Sequence, residues 1–288
     1  MKTQLYIFTV LFSLFLTLDS HASPECGEET AGRNRLSYCI YRSPEANARN
    51  VVYYLHGHGG HEAIWGERED FRMIEKLWAN SGKSVPTIIA LSFGKHWFLS
   101  DEDGWWAKSY FASFTEEAMP LVEAKLGWTV SDRSVFGESM GGFNATQLYL
   151  KTQGLFSRAA IVCPAILSLS PQASKKEIEA FINRHQPYGS RKLIEKWQGK
   201  MVDSFSKLEV WQRHDPMRLA LTMGPSSMPA YIMSEVQDPF AFFEGTNNFV
   251  QSLLAQKAPV IWEPISAPTH CTQTPDSIER LASFLVGQ

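Results

Sequence analysis

The chain has 288 residues, 44% of them hydrophobic and 20% charged, with a formal net charge of −3 at pH 7. That composition suits one globular domain with a sizeable apolar core. The nearly balanced charge and the lack of a basic run speak against nucleic acid or an anionic membrane surface as a partner.

The opening stretch "MKTQLYIFTVLFSLFLTLDSHAS" starts with Lys2 and continues as an apolar run, Leu5 to Leu18, too short for a comfortable membrane span. Ser20-His21-Ala22 sets small residues at the two positions a signal peptidase reads. Residues 1–22 are therefore read as a signal peptide cut after Ala22. Residues 23–288 become a single exported domain, periplasmic or secreted, with no stable membrane insertion after cleavage. All four cysteines, Cys26, Cys39, Cys163 and Cys271, fall in that domain. An even count in an oxidising compartment permits disulfides. Cys26 and Cys39 are placed to close a small loop, and the pairing stays open. No Cys-x-x-Cys supports a zinc site.

"RLSYCIYRSP" alternates enough for an edge strand, and "NVVYYLHG" is a compact β-rich run ending in glycine, as a buried strand would be. "FRMIEKLWANSG" has apolar residues at helical spacing and stops at Gly82. "PTIIALSFG" is a second buried strand. "SFTEEAMPLVEAKLG" reads as an amphipathic helix opened by a capping box of Ser113 and Glu116. "RSVFG" is a third short strand, "GGFNATQLYLKTQG" the helix after it, and "FSRAAIVCPAIL" a fourth strand. Residues 170–222 then turn charged and helical in period, which predicts an inserted helical cap. "MPAYIMSEV" and "PVIWEPIS" read as strands, each followed by a helix, "GTNNFVQSLLAQ" and "PDSIERLASFLVG". Strands alternating with helices predict an α/β fold, a mostly parallel sheet with helices on both faces.

The chemistry concentrates in "RSVFGESMGGF". Gly137-Glu138-Ser139-Met140-Gly141 is a G-x-S-x-G directly after a β run and before a helix, the setting of a nucleophile elbow. The bland alternative is a glycine-rich β-to-α turn with an idle serine. A serine nucleophile needs a base, and the base needs an orienting carboxylate. His270 is the one histidine beyond His214, and it stands between the last strand and the last helix. Asp238, in "SEVQDPFAFFEG", is the favoured acid, with Glu235 as the near rival and Glu244 too deep in the following helix.

"HGHGGH" puts His56, His58 and His61 within six positions, which invites a metal site. The spacing resembles the first metal motif of the metallo-β-lactamase fold, but Gly60 stands where that motif has Asp. The competing reading is an oxyanion loop: the backbone N–H of His58 pairs with that of Met140, and the glycines let the main chain approach a carbonyl. On that reading there is no metal and no cofactor.

With these pieces placed, the chain resembles the esterase D-like branch of the α/β-hydrolases, which includes feruloyl esterases, S-formylglutathione hydrolases and mycolyltransferases. The resemblance runs from "VVYYLHGHGGHEAIW" through "FTEEAMPLVEAKLG", "RSVFGESMGGFNATQLYLKTQGLFSRAAIVCPA" and "WQRHDPMRLA" to the end. It implies metal-free hydrolysis of a small-molecule ester or thioester, or acyl transfer, with Ser139, His270, His58 and Met140 in the roles above. The acid loop "SEVQDPF" departs from the usual glycine-containing form, and Cys271 after the base is unusual. Trp97, Trp105 and Trp106, in the aromatic stretch "SFGKHWFLSDEDGWWAKSYF", are candidate substrate contacts, with core packing as the bland alternative. Asn144-Ala145-Thr146 fits a glycosylation motif but lies in the helix after the serine. A metallohydrolase using the three histidines and a noncatalytic binding protein on the same fold remain the readings from other classes. The natural substrate and the oligomeric state are left open.

Overall fold

The computed structural model describes residues 23–100, 109–224 and 226–287. The signal segment read at 1–22 and the candidate contacts Trp105 and Trp106 lie outside these residues. Among the described residues, no helix is long and apolar enough to cross a membrane.

The chain opens with a hairpin, β1 (Glu25–Ala31) and β2 (Asn34–Tyr41), in which Cys26 faces Cys39 and is joined to it by a disulfide. β3 (Asn50–Leu55), α1 (Glu69–Asn80) and β4 (Thr87–Ser92) follow. α2 (Tyr110–Ala112) runs through a π-turn at Ser113–Ala118 into α3 (Met119–Ala124). Next come β5 (Asp132–Glu138), α4 (Met140–Lys151) and β6 (Arg158–Val162). Residues 170–222 supply four helices, α5 (Lys175–Arg184), α6 (Arg191–Ser204), α7 (Leu208–Gln212) and α8 (Pro216–Thr222). β7 (Ala230–Glu235), α9 (Phe242–Ala255), β8 (Val260–Ile265) and α10 (Pro275–Leu285) complete the order.

Among the described residues, eight strands form one sheet in the order β1-β2-β4-β3-β5-β6-β7-β8. β2 is antiparallel to both its neighbours, and every pair from β4 to β8 is parallel. Parallel strands need crossover helices, and those helices bury both sheet faces. The side-chain period of two then sorts the core. Val51, Tyr53 and Leu55 of β3 join Phe114, Val122, Phe143 and Phe249 on one face. Val52 and Tyr54 join Trp65, Phe71, Trp78, Ile278 and Leu281 under α1 and α10 on the other. The mostly parallel α/β architecture expected from the sequence is therefore the one present.

Two local expectations are corrected. The edge strand is β1, one strand earlier than "RLSYCIY", which pairs on both sides. Ser113 caps nothing: the helix starts before it, and the buried Ser113 hydroxyl accepts a hydrogen bond from Asn34 Nδ2 at 2.8 Å. A side chain already engaged across the core is not free to cap.

The helices of 170–222 are tied back to the sheet domain by Glu244 in the first turn of α9. It accepts hydrogen bonds from Arg184 Nε at 2.9 Å and from Ser168 Oγ, and faces His185 Nε2 at 3.0 Å. That carboxylate is spent on holding α5.

Because β3 to β8 run parallel, the segments leaving β3, β5, β7 and β8 all emerge at one sheet edge. Ligand sites of open α/β sheets gather there.

Candidate active site

β5 ends in Gly137-Glu138 and α4 begins at Met140, so one residue, Ser139, makes the whole turn. Its backbone is at φ 54°, ψ −114°. A non-glycine residue held there costs of order 1–3 kcal/mol and must be over-determined by its surroundings. It is. Ser139 N–H donates to Val162 O at 3.1 Å, and Ser139 O accepts from both Phe143 and Ala165 N–H at 2.9 Å. The glycines are steric necessities. A Cβ on Gly137 would sit 2.1 Å from Gly141 O, and one on Gly141 would sit 1.9 Å from Leu55 O.

His270 stands in the loop between β8 and α10, with Nε2 2.8 Å from Ser139 Oγ and Nδ1 2.8 Å from Asp238 Oδ2. A carboxylate can only accept, so Nδ1 carries the proton, and a neutral ring leaves Nε2 to accept from the serine hydroxyl. Asp238 is 1% exposed, and its other oxygen accepts from Phe240 N–H at 2.7 Å. The rings of Phe240 and Phe242 lie 4.7 and 5.4 Å from the imidazole and pack against it.

Glu235, the rival acid, does not meet Nδ1. Its Oε1 accepts the backbone N–H of Thr272 at 2.6 Å, and burial pushes its carboxyl up to about 7.

The three histidines of HGHGGH go to three different places. His56 is buried, with Nδ1 2.8 Å from Gly57 O and Nε2 2.8 Å from Ser92 Oγ. The carbonyl fixes Nδ1 as donor, so Nε2 accepts from Ser92 and, at 3.4 Å, from Trp97 Nε1. Burial lowers the His56 pKa, in keeping with a neutral ring. His58 packs against the rings of His96 and Trp197, at 5.2 and 6.0 Å. His61 is exposed, 3.4 Å from Glu67. Among the described residues the three do not bring their nitrogens together as a ligand set.

The loop's backbone is arranged differently. Gly57 lies against Ser139: a Cβ on it would be 3.3 Å from the serine Cβ. Gly59 N–H donates to Lys95 O at 2.9 Å, and Gly60 N–H to Gly57 O at 3.0 Å. Among the described residues no backbone carbonyl takes the His58 N–H. Met140 is the first residue of α4, so its N–H is one of the helix's unpaired donors.

Trp97 is 1% exposed, and its N–H contacts Met140 Sδ at 3.3 Å. With His96, Phe98, Ser100, Tyr110, Asp203 and Ser204 it lines a cavity of about 440 Å³ beside the HGHGG loop. Trp97 is thus both core and cavity wall. Asn144, the glycosylation candidate, is fully buried and holds this wall to α4, accepting from Leu99 N–H at 2.9 Å and donating to Trp97 O at 3.3 Å.

Sequence reasoning missed three things here. Glu138, beside the serine, is buried and pushed up by burial, opposed by Arg68. It accepts from Arg68 Nη1 at 2.5 Å, Tyr54 OH at 3.0 Å and Gln273 Nε2 at 3.1 Å, linking the elbow to the His270 loop. Cys163 and Cys271 form a disulfide on that same loop. Glu235 is fully buried. The one available signal was the cysteine directly after His270.

The family model described as "Putative esterase" matches residues 25–249. No curated protein matches by sequence. Solved structures are similar in shape. A ferulic acid esterase aligns at a TM-score of 0.61 and 17% identity, covering 92% of this chain and 97% of that one. Brefeldin A esterase, described as a bacterial homologue of human hormone-sensitive lipase, aligns at 0.64 and 15%, covering 96% and 80%. An esterase of Pyrobaculum calidifontis aligns at 0.63 and 14%, covering 93% and 85%. At these identities the likenesses speak for the fold alone.

Proposed function

The chain belongs to the esterase family and is a carboxylic-ester hydrolase of the α/β-hydrolase fold; on that premise we propose that it works through Ser139, His270 and Asp238 by way of an acyl-enzyme. The observation that supports this reading is the unbroken chain of two 2.8 Å hydrogen bonds from Ser139 Oγ through His270 to Asp238.

Ser139 Oγ attacks the ester carbonyl as His270 Nε2 takes its proton. The buried Asp238 carboxylate, which accepts from His270 Nδ1–H, stabilises the imidazolium. The carbonyl oxygen becomes an oxyanion, met by the N–H groups of Met140 and His58. Collapse expels the alcohol, which takes the proton from His270 and leaves the acyl group on Ser139. Water then repeats the sequence, giving its proton to His270 and releasing the acid. An alcohol in place of water would give acyl transfer with the same residues.

The leaving alcohol must sit by His270 Nε2 to receive its proton. The acyl group is therefore directed away from it, and the cavity walled by Trp97 is retained as a candidate acyl site, although none of Ser139, Asp238 and His270 lines it. Trp105 and Trp106, in the same stretch of sequence, are retained as candidate substrate contacts, and the helices of 170–222 as the cap over the site. Two disulfides favour an oxidising compartment and so an exported protein, in keeping with the leader read at 1–22. The test is a screen of p-nitrophenyl and aryl esters with fluorophosphonate labelling. Labelling of Ser139 with loss of hydrolysis is the expected result, and hydrolysis that survives blocked Ser139 overturns the reading.

A further inference from the structure

A second carboxyl lies behind the base. Glu235 ends β7, three residues before Asp238, and is 0% exposed. It is tied to Asp238 and to the loop that carries His270 through different atoms. Its backbone O accepts from Asp238 N–H at 3.2 Å, closing the turn that presents the acid. Its side-chain Oε1 accepts from Thr272 N–H, two residues beyond His270. Its other oxygen, Oε2, is buried with no hydrogen-bond partner among the described residues. One oxygen each of Glu235 and Asp238 and one ring nitrogen of His270 all lie within 4.8 Å of one another.

A buried carboxyl with an unpartnered oxygen is costly, and a purely apolar residue would fill the space without that cost. A clamp on Thr272 alone would need only an amide oxygen. The remaining contribution of a carboxyl here is its charge. We propose that Glu235 is a positioning residue for His270, a second carboxylate that holds the base's loop through Thr272 N–H and biases the imidazolium formed during turnover. The proposal rests on the reading of Ser139, His270 and Asp238 given above.

The electrostatics are consistent with this role. Burial raises the Glu235 carboxyl to about 7, His270 opposes that shift, Asp238 adds to it, and Thr272 N–H opposes it. Asp238 and His270 are the titratable groups acting on it; the neighbouring Cys163 and Cys271 are disulfide-bonded and do not titrate. Glu235 therefore changes charge across neutral pH. When it ionises, a second negative charge stabilises the imidazolium; when it is protonated, Asp238 acts alone.

The test compares Glu235→Gln with the unaltered protein over a full pH range, with fluorophosphonate labelling of Ser139 and thermal unfolding alongside. Glutamine keeps an oxygen for Thr272 N–H but carries no charge. The expected result is intact labelling, a kcat/KM lowered roughly tenfold near pH 8, the worth of about one pKa unit of interaction, and an acid limb reduced from two coupled ionisations to one. An unchanged limb and unchanged kcat/KM would overturn the role of Glu235. Absence of labelling at Ser139 in the unaltered protein would instead overturn the nucleophile assignment, and this proposal with it. Should Glu235→Gln not fold, the His270 ring-proton shift in the unaltered protein decides: two titration steps support the proposal, and one overturns it.

Discussion

Cys271, the residue after His270, is bonded to Cys163, which directly follows β6, the strand beside β5, whose end leads into Ser139. Both cysteines hold left-handed backbone, at φ 42° for Cys163 and 59° for Cys271. Such conformations cost of order 1–3 kcal/mol each and persist only under constraint. The bond closes a separation of 108 residues, which in the chain-entropy model stabilises by up to about 5 kcal/mol. Replacing both cysteines with serine is therefore expected to lower Tm markedly and to reduce kcat more than KM, because the loop that aims His270 is released. Denaturation curves and steady-state kinetics check this. Equal kcat before and after full reduction would mean that Glu235 and Gln273 hold the loop unaided.

Ser139→Ala and His270→Ala are expected to cost about the same, roughly 10⁶-fold in kcat, since the two act as a unit. Asp238→Asn should cost less, on the order of 10⁴-fold, by leaving the imidazole in the wrong tautomer. Glu235→Gln should cost far less than Asp238→Asn, because only Asp238 meets His270 Nδ1. A reversed order in single-turnover kinetics would move the acid assignment to Glu235.

His58→Ala should keep most of kcat, and a proline at 58 should lose about 10²–10³-fold, the typical effect of removing one oxyanion donor. Thermal unfolding of the proline variant separates this from loop damage. His56→Ala is expected to lower stability as well as activity, since His56 bridges Gly57, Ser92 and Trp97. A chelator should leave hydrolysis intact. Loss of activity in His58→Ala together with loss under chelator would restore the metal reading.

The raised Glu235 carboxyl makes a stability prediction of definite sign. The folded state holds this proton up to about pH 7, whereas the unfolded chain releases it near the ordinary carboxyl value of 4.5. Between those values the native state binds more protons, so stability falls as pH rises through the window. The loss attributable to this group is about 3 kcal/mol, an order-of-magnitude figure. Glu235→Gln should therefore gain on the unaltered protein as pH goes from 5 to 8, while its activity falls. A pH-independent difference between the two urea midpoints would contradict it.

Much of the site was legible in the sequence because backbone sterics wrote it there. A serine at φ 54° directly between a strand and a helix needs glycine at 137 and 141, where any Cβ would strike a carbonyl. The motif is the signature of that collision. His270 was legible by chain order, and the buried central strands by their continuous apolar runs. β1 was not, because "ECGEETA" is half-exposed, acidic and without clear alternation. Its place in the sheet depends on pairing with β2 and on the Cys26–Cys39 bond.

What only the tertiary structure decided was the direction of side chains that are alike in sequence. Asp238 and Glu235 are carboxylates three residues apart after one strand; the turn between them sends one to His270 Nδ1 and the other to Thr272 N–H. Ser113 stood where a helix cap belongs, and Asn34, 79 positions earlier, claimed its hydroxyl. His56, His58 and His61 looked like one cluster and face three different surroundings. Local sequence carries propensity and steric prohibition, which act over a few residues. Which polar group meets which depends on segments far apart in the chain, 32 residues for Asp238 and His270 and 79 for Asn34 and Ser113, being packed together, and that is a property of the fold.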